Sequence, residues 1–261
     1  MKSLIVAVAS VSALIAQISP RDLVKQSLAN YDRDWRASMN CSYTQRDVEK
    51  SGAVTKVSVS QVTVIDSFPY EKVISRNEKP LSADEARKEE DKYQKALKAS
   101  TTDREKRVAE AEHKREFLKE APDAFDAKLL GEETLAGRSN FVVQLTPKPG
   151  YEAKSSHAKM FSKLEAKLWI DKEDMRWTKA EAHVIDTISI GFVLARIAAG
   201  ANILMEQEPI GDNIWLPKKI DVIGNAKILM VHTKSIDEEL TYTNYHNNTK
   251  PQFQAMTAGV R

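Results

Sequence analysis

Between residues 131 and 217 the chain changes side-chain character at every second residue, and that period restricts it to β structure with one buried face. Phe141, Val143 and Leu145 alternate with polar neighbours, as do Leu168 and Ile170, and then Ala180, Ala182 and Val184. Gly137, Pro147, Pro149-Gly150 and Lys172-Glu173-Asp174 punctuate these segments. Strict alternation with short polar breaks reads as antiparallel hairpins. A sheet of this kind is a scaffold for holding something. Nothing in the stretch has the residue types of a catalyst.

The amino end points to where such a scaffold works. Lys2 is followed by an uncharged apolar run of 14 residues, Ser3 to Ala16. That is short of the roughly 20 residues a membrane-spanning helix needs, and it has the form of a secretory h-region. Residues 1–16 therefore read as a signal peptide, with cleavage at Val11-Ser12-Ala13 or Ala16-Gln17 and a mature start between Leu14 and Pro20. The expected destination is the periplasm. The chain has one cysteine, Cys41. It lies too far beyond the apolar run to carry a lipoprotein lipid, allows no internal disulfide, and reads as a small buried hydrophobe.

After the signal, Asp22 to Met39 reads as a helix, with Leu23, Leu28, Tyr31 and Trp35 near one face. The period then changes to two. Ser42 to Val48 and Val54 to Ile65 are strands around a Ser51-Gly52 turn, with a bulge near Ser60-Gln61 where the valine parity breaks. Tyr70 to Ser75 is a further strand closing at Asn77–Pro80. Ser82 to Glu120 differs in kind, with eleven Lys/Arg, eleven Asp/Glu and no Gly or Pro. Ser82-x-x-Glu85 and Thr102-x-x-Glu105 have the form of capping boxes, so the segment reads as two solvated helices broken at Ser100-Thr101-Thr102. So polar a pair adds little to a core and reads as an insertion that the sheet can do without. The sheet resumes at Phe125 and runs to about Tyr245. Within it, Ile188 to Leu204 is either two strands turning at Ala199-Gly200-Ala201 or a short helix on the sheet. The resulting organisation is one domain over residues 20–246, the charged helices 82–120 within it, and a polar tail 247–261.

Chemistry is hard to find. His113, His157, His183, His232 and His246 pair with neither one another nor Cys41 at a metal-ligand spacing. No nucleophile elbow, phosphate loop or dinucleotide fingerprint occurs, and no cofactor is called for. With a formal charge of +2 and cations interleaved with anions, nucleic acid is excluded as the expected partner. Instead there is an excess of apolar bulk. Trp169 has the parity opposite Leu168 and Ile170, and Trp177, Phe192, Leu194, Ile197 and Trp215 add more than one sheet face would bury. These six are the candidate lining of a lipid cavity.

The order and spacing of these features resemble the periplasmic outer-membrane lipoprotein carriers and their lipoprotein-sorting relatives, the LolA/LolB-like half-barrels. The matching residues are the Gly131, Gly137-Arg138, Val143, Leu145 and Pro147 series, Leu168-Trp169-Ile170-Asp171, and Ile214-Trp215-Leu216-Pro217. The resemblance implies an α+β fold, a curved antiparallel half-barrel covered by helices, whose concave side takes acyl chains. The charged helices 82–120 depart from the compact carriers, and no cargo-contacting residue is carried over from the family. The expected function is non-catalytic binding of a lipid or lipoprotein acyl group in outer-membrane lipoprotein sorting or envelope lipid handling. The alternative is an envelope protein-interaction or stress-sensor module that uses the same sheet and meets a protein partner through helices 82–120.

Overall fold

Ser19 starts the first helix by accepting the Asp22 amide on its hydroxyl at 3.1 Å, with Pro20 at the first helical position, where no amide is needed. In this computed structural model, which describes residues 18–66, 68–99, 101–190, 195–211, 213–228 and 232–248, helix α1 runs Pro20–Ser38. The apolar amino-terminal run, the tail from 249, Phe192 and Leu194 lie outside the described residues. The strands β1 (Cys41–Ser51), β2 (Val54–Ile65), β3 (Phe68–Arg76) and β4 (Lys79–Pro80) follow. The bulge expected near Ser60-Gln61 is a register shift between Val59 and Ser60 against β3. Helices α2 (Ala83–Leu97) and α3 (Thr101–His113) come next, then a 3₁₀ turn (Glu116–Glu120) and the short α4 (Ala121–Ala124). The Ser82 capping box is present in full. The one expected at Thr102 is not, because α3 already begins at Thr101 and Thr102 lies in its first turn.

The remaining strands are β5 (Phe125–Leu135), β6 (Arg138–Pro147), β7 (Leu164–Asp171), β8 (Trp177–Val184), β9 (Ile188–Ile190), β10 (Ala195–Ile197), β11 (Asn202–Pro209), β12 (Trp215–Ile228) and β13 (His232–Asn247). Between Ile188 and Leu204 the described residues form strands, β9, β10 and the start of β11, with a turn at Ala199-Gly200, in place of the alternative helix. The β5–β6 hairpin closes through Ala136 and Gly137, both at positive φ (49° and 80°), as a two-residue primed turn requires. The sheet order is β4-β3-β2-β1-β13-β12-β11-β8-β7-β6-β5, with β10 and β9 attached beside β12, and every pairing is antiparallel. The first strand therefore pairs with the last in the middle of the sheet. The chain builds outward to β4, crosses by way of α2 and α3 to the opposite edge at β5, and winds back. The charged helices lie between the two edge strands, β4 and β5.

Helix α1 touches β5, β7, β8 and β12. Those strands extend over about five inter-strand steps, roughly 24 Å, and the helix is about 28 Å long, so it lies across the strands on the concave face of a curved half-barrel. Its first half buries Leu23 and Val24 against Val143 and Leu145 of β6, Ile170 of β7, and Ala180 and Val184 of β8. This is the alternating set read from the sequence. Phe125 and Phe161 close the same core, with ring centroids 5.3 Å apart. Among the described residues no helix is long and apolar enough to cross a membrane.

One buried ion pair sets the helix position. Asp34 of α1 and Arg176, just before β8, are 2% and 4% exposed, and the guanidinium meets both carboxylate oxygens at 2.5 and 3.2 Å. Arg176 also donates to the Asn213 carbonyl at 2.5 Å, while Asn30 donates to the carbonyls of Asp174 and Met175 at 3.1 and 2.8 Å. Removing one partner leaves the other charge buried and uncompensated, at a cost of roughly 3–5 kcal/mol. Asp34→Ala is expected to lose about that much in urea denaturation. The double change Asp34→Leu with Arg176→Met is expected to recover most of the loss, and an Asp34→Ala chain as stable as the parent contradicts this assignment.

Candidate ligand-binding cavity

Beyond Asp34 the helix no longer sits on core. Tyr31, Trp35, Ser38 and Met39 instead roof a cavity of about 220 Å³ over the other half of the sheet. Its floor is Tyr43 and Gln45 of β1, Pro69 of β3, Gln207 of β11, Trp215, Leu216 and Pro217 of β12, and Tyr242 and Tyr245 of β13. Alternation in β1 and its pairing of Gln45 with Tyr242 put these side chains on one face. Among the described residues, the lining contains no charged one. The Tyr43 ring packs on Tyr245 at 5.1 Å and on Tyr242 at 5.9 Å, and the Tyr245 hydroxyl donates to the Pro217 carbonyl at 2.7 Å.

A second hollow, a groove of about 550 Å³, adjoins the first and shares Trp35 and Met39 with it. Its far wall is α3, through Thr101, Arg104, Glu105, Val108, Ala109 and Glu112. The charged helices are held on the body by few contacts. Arg36 pairs with Glu112 at 2.6 Å, Arg104 pairs with Asp66, and Lys72 of β3 pairs with Glu90 at 2.6 Å beside the Tyr70–Tyr93 ring contact. Arg115 lies over the rings of both Tyr31 and Trp35, at 4.6 and 4.5 Å, so the crossover segment braces the cavity roof by cation–π contact. As the charge pattern led one to expect, α2 buries only Glu89 and α3 buries nothing.

Of the six residues read as cavity lining, the four that are described are not gathered at one place. Trp215 lies in the floor of the cavity. Trp177 sits in the main core behind Tyr31, with ring centroids 5.4 Å apart, and Ile197 is half-buried against the margin of that core. Trp169 is on the opposite face of the sheet. There its indole donates to Glu133 at 2.7 Å and lies between the Lys167 and Lys179 ammonium groups, 4.4 and 4.5 Å from the ring. Two lysine stems thus cover the bulk that made both faces of β7 look apolar. Phe192 and Leu194 are outside the described residues. Sequence reasoning missed the aromatics Tyr43, Tyr242 and Tyr245: the last two stand three residues apart in β13, and Tyr43 lies in β1 near the other end of the chain, so no local pattern links the three.

The motif residues meet one another instead of a ligand. Asp171 accepts two hydrogen bonds from Arg138 at 2.6 and 2.9 Å and caps the amides of Glu173 and Asp174, and the Arg138 guanidinium lies 5.2 Å from the Trp215 ring. Burial works against the Asp171 carboxylate, but Arg138 and the two amides still hold its pKa below the usual range. This cluster fixes the β7–β8 turn that carries Arg176. Cys41 is fully buried, and burial raises its thiol pKa. Among the described residues no group of three or more His, Cys, Asp or Glu side chains converges on a metal position.

Burial raises the pKa of the Tyr43, Tyr242 and Tyr245 hydroxyls, with their mutual proximity and nearby carboxylates adding to the effect. The cavity is therefore a neutral surface that offers hydroxyl donors. For each hydroxyl the folded-state pKa lies above the unfolded value near 10, so its contribution to stability is complete below about pH 10 and is lost as the pH rises further. Tyr151, bonded to Glu120 elsewhere, is also pushed up by burial to about 12. Of the seven tyrosines, at least Tyr151, Tyr242 and Tyr245 are expected to stay protonated at about pH 11 for as long as the chain remains folded. Phenolate absorbance near 295 nm checks this. A Tyr242→Phe variant is expected to leave the absorbance step below about pH 11 unchanged, and a smaller step contradicts its burial.

No protein-family model matches the sequence, and no curated protein does. Solved structures do align with it along most of both chains. A putative outer membrane lipoprotein-sorting protein domain from Vibrio parahaemolyticus is 11% identical, with 91% of this chain and 95% of that one covered at a TM-score of 0.35. A LolA superfamily protein from Nitrosomonas europaea is 9% identical over 87% of this chain and 93% of its own, at 0.32. The Mycobacterium tuberculosis lipoprotein LppX is 11% identical over 87% and 94%, at 0.31.

Proposed function

We propose that this chain binds the acyl group of a lipid or an acylated lipoprotein, without catalysis, as a periplasmic carrier in outer-membrane lipoprotein sorting or envelope lipid handling. The observation that supports it best is the uncharged, aromatic-walled cavity beneath the second half of α1. On its own it is smaller than most ligand sites, but with the adjoining groove it falls within the roughly 300–1,000 Å³ that such sites occupy. An acyl chain gains roughly 0.8 kcal/mol for each methylene removed from water, so the aromatic walls of the inner cavity supply a driving force for its binding. The secretory form of residues 1–16 agrees with an envelope role. The second reading, a protein-interaction module, draws on the exposed charges of α3, which buries no residue.

Titration of the mature chain with a fluorescently labelled neutral acyl ester separates the two. Saturable binding is expected in the parent, and Ser38→Phe, which puts a ring into the cavity, is expected to weaken it at least tenfold, or about 1.4 kcal/mol. Charge reversal at the exposed Lys106 and Arg107 is expected to leave binding unchanged. Absence of saturable binding by the parent would falsify the carrier reading in favour of the interaction module.

A further inference from the structure

One buried amide nitrogen in the cavity floor has no hydrogen-bond partner among the described residues. It is Nε2 of Gln207, a residue 6% exposed. Its placement follows from the strand. The β11–β12 register shifts between Glu206 and Gln207, which sets Gln207 opposite Pro217. Pro217 has no N–H, and the Tyr245 hydroxyl already donates to its carbonyl at 2.7 Å. The register shift thus places Gln207 in the cavity lining opposite a residue that has no N–H and whose carbonyl already accepts one hydrogen bond. A buried donor left unmet costs roughly 1–3 kcal/mol, and a leucine of similar shape would avoid that cost.

We infer that Gln207 is the polar anchor of this cavity and donates a hydrogen bond to the carbonyl oxygen of an ester- or amide-linked acyl chain. This rests on the lipid-binding reading and narrows its ligand class. With no cation in the lining, the cavity suits a neutral acyl carbonyl better than a free carboxylate, whose charge would be buried unpaired. Around the carbonyl, Trp35, Trp215 and Tyr242 supply the apolar wall for the first methylenes.

Two probes that differ only in the carbonyl test this: 1-monolauroylglycerol and its ether analogue 1-O-dodecylglycerol. Tryptophan fluorescence of the full chain follows binding, since Trp35 and Trp215 line the site. The parent is expected to prefer the ester by roughly tenfold. Gln207→Leu is expected to bring that ratio close to one, keep the ether affinity, and melt no lower than the parent. Equal, saturable binding of both probes by the parent would overturn the inference and leave the lipid-binding reading intact, with water meeting the amide. Retained ester preference in Gln207→Leu overturns it too, because another group then reads the carbonyl. A variant that melts lower or fails to fold shows that the amide has a structural partner, which also overturns it. Binding of neither probe removes the lipid-binding reading and this inference together.

Discussion

The buried Asp34–Arg176 pair decides where α1 lies, and the position of α1 decides what the sheet can hold. The pair joins residues 142 apart in sequence and satisfies both carboxylate oxygens. On one side of it, Leu23 and Val24 complete a dense core on β6, β7 and β8. On the other side, Trp35, Ser38 and Met39, together with Tyr31 at the edge of the core, roof the cavity. A pair that is merely buried is weak evidence of stability, since a well-packed apolar substitute often serves as well. What the charges add is direction, because bidentate geometry fixes the helix in one register over the strands. Arg138, Asp171 and the β7–β8 turn stand behind Arg176, so the residues of the sequence motifs act on the cavity at one remove, through the helix.

The sheet is closed by its ends. Pairing β1 with β13 places the first and last strands side by side at the cavity floor, which is built from β1, β3, β11, β12 and β13 together. No single hairpin contains the site. Because α2 and α3 join the edge strands β4 and β5, shortening them pulls on both edges at once. Their attachment through a few ion pairs and the Arg115 contact with Tyr31 and Trp35 couples this crossover to the roof. Exposed ion pairs contribute little each, roughly 0–1 kcal/mol, so the segment adds more through connectivity than through binding energy.

What could be read from the sequence followed from local physics. Phe141 to Leu145 and Ala180 to Val184 alternate because one face is covered by α1, and Ser82 caps a helix whose charges show that it is solvated. The fold class follows from those patterns. The site follows only in part. Trp215 is in the cavity, but Trp169 looked like a lining residue because nothing local shows that lysines from two strands cover it. The Tyr43–Tyr242–Tyr245 cluster depends on β1 pairing with β13 across the whole chain, and such long-range register is not encoded in any short window. Gln207 points inward because of a bulge set by its partner strand, and Asp34 reads as an ordinary helix-surface acid until Arg176 is placed over it.

The central claim is that the ligand lies between the second half of α1 and the β1–β13–β12 floor. Hydrogen–deuterium exchange of the mature chain with and without 1-monolauroylglycerol tests it most directly. The expected result is new protection confined to Tyr31–Met39, the start of β12 at Trp215 and the end of β13 around Tyr242, with β5 and β6 unchanged. Protection confined to α2 and α3, or to the Trp169 face of the sheet, would contradict the account.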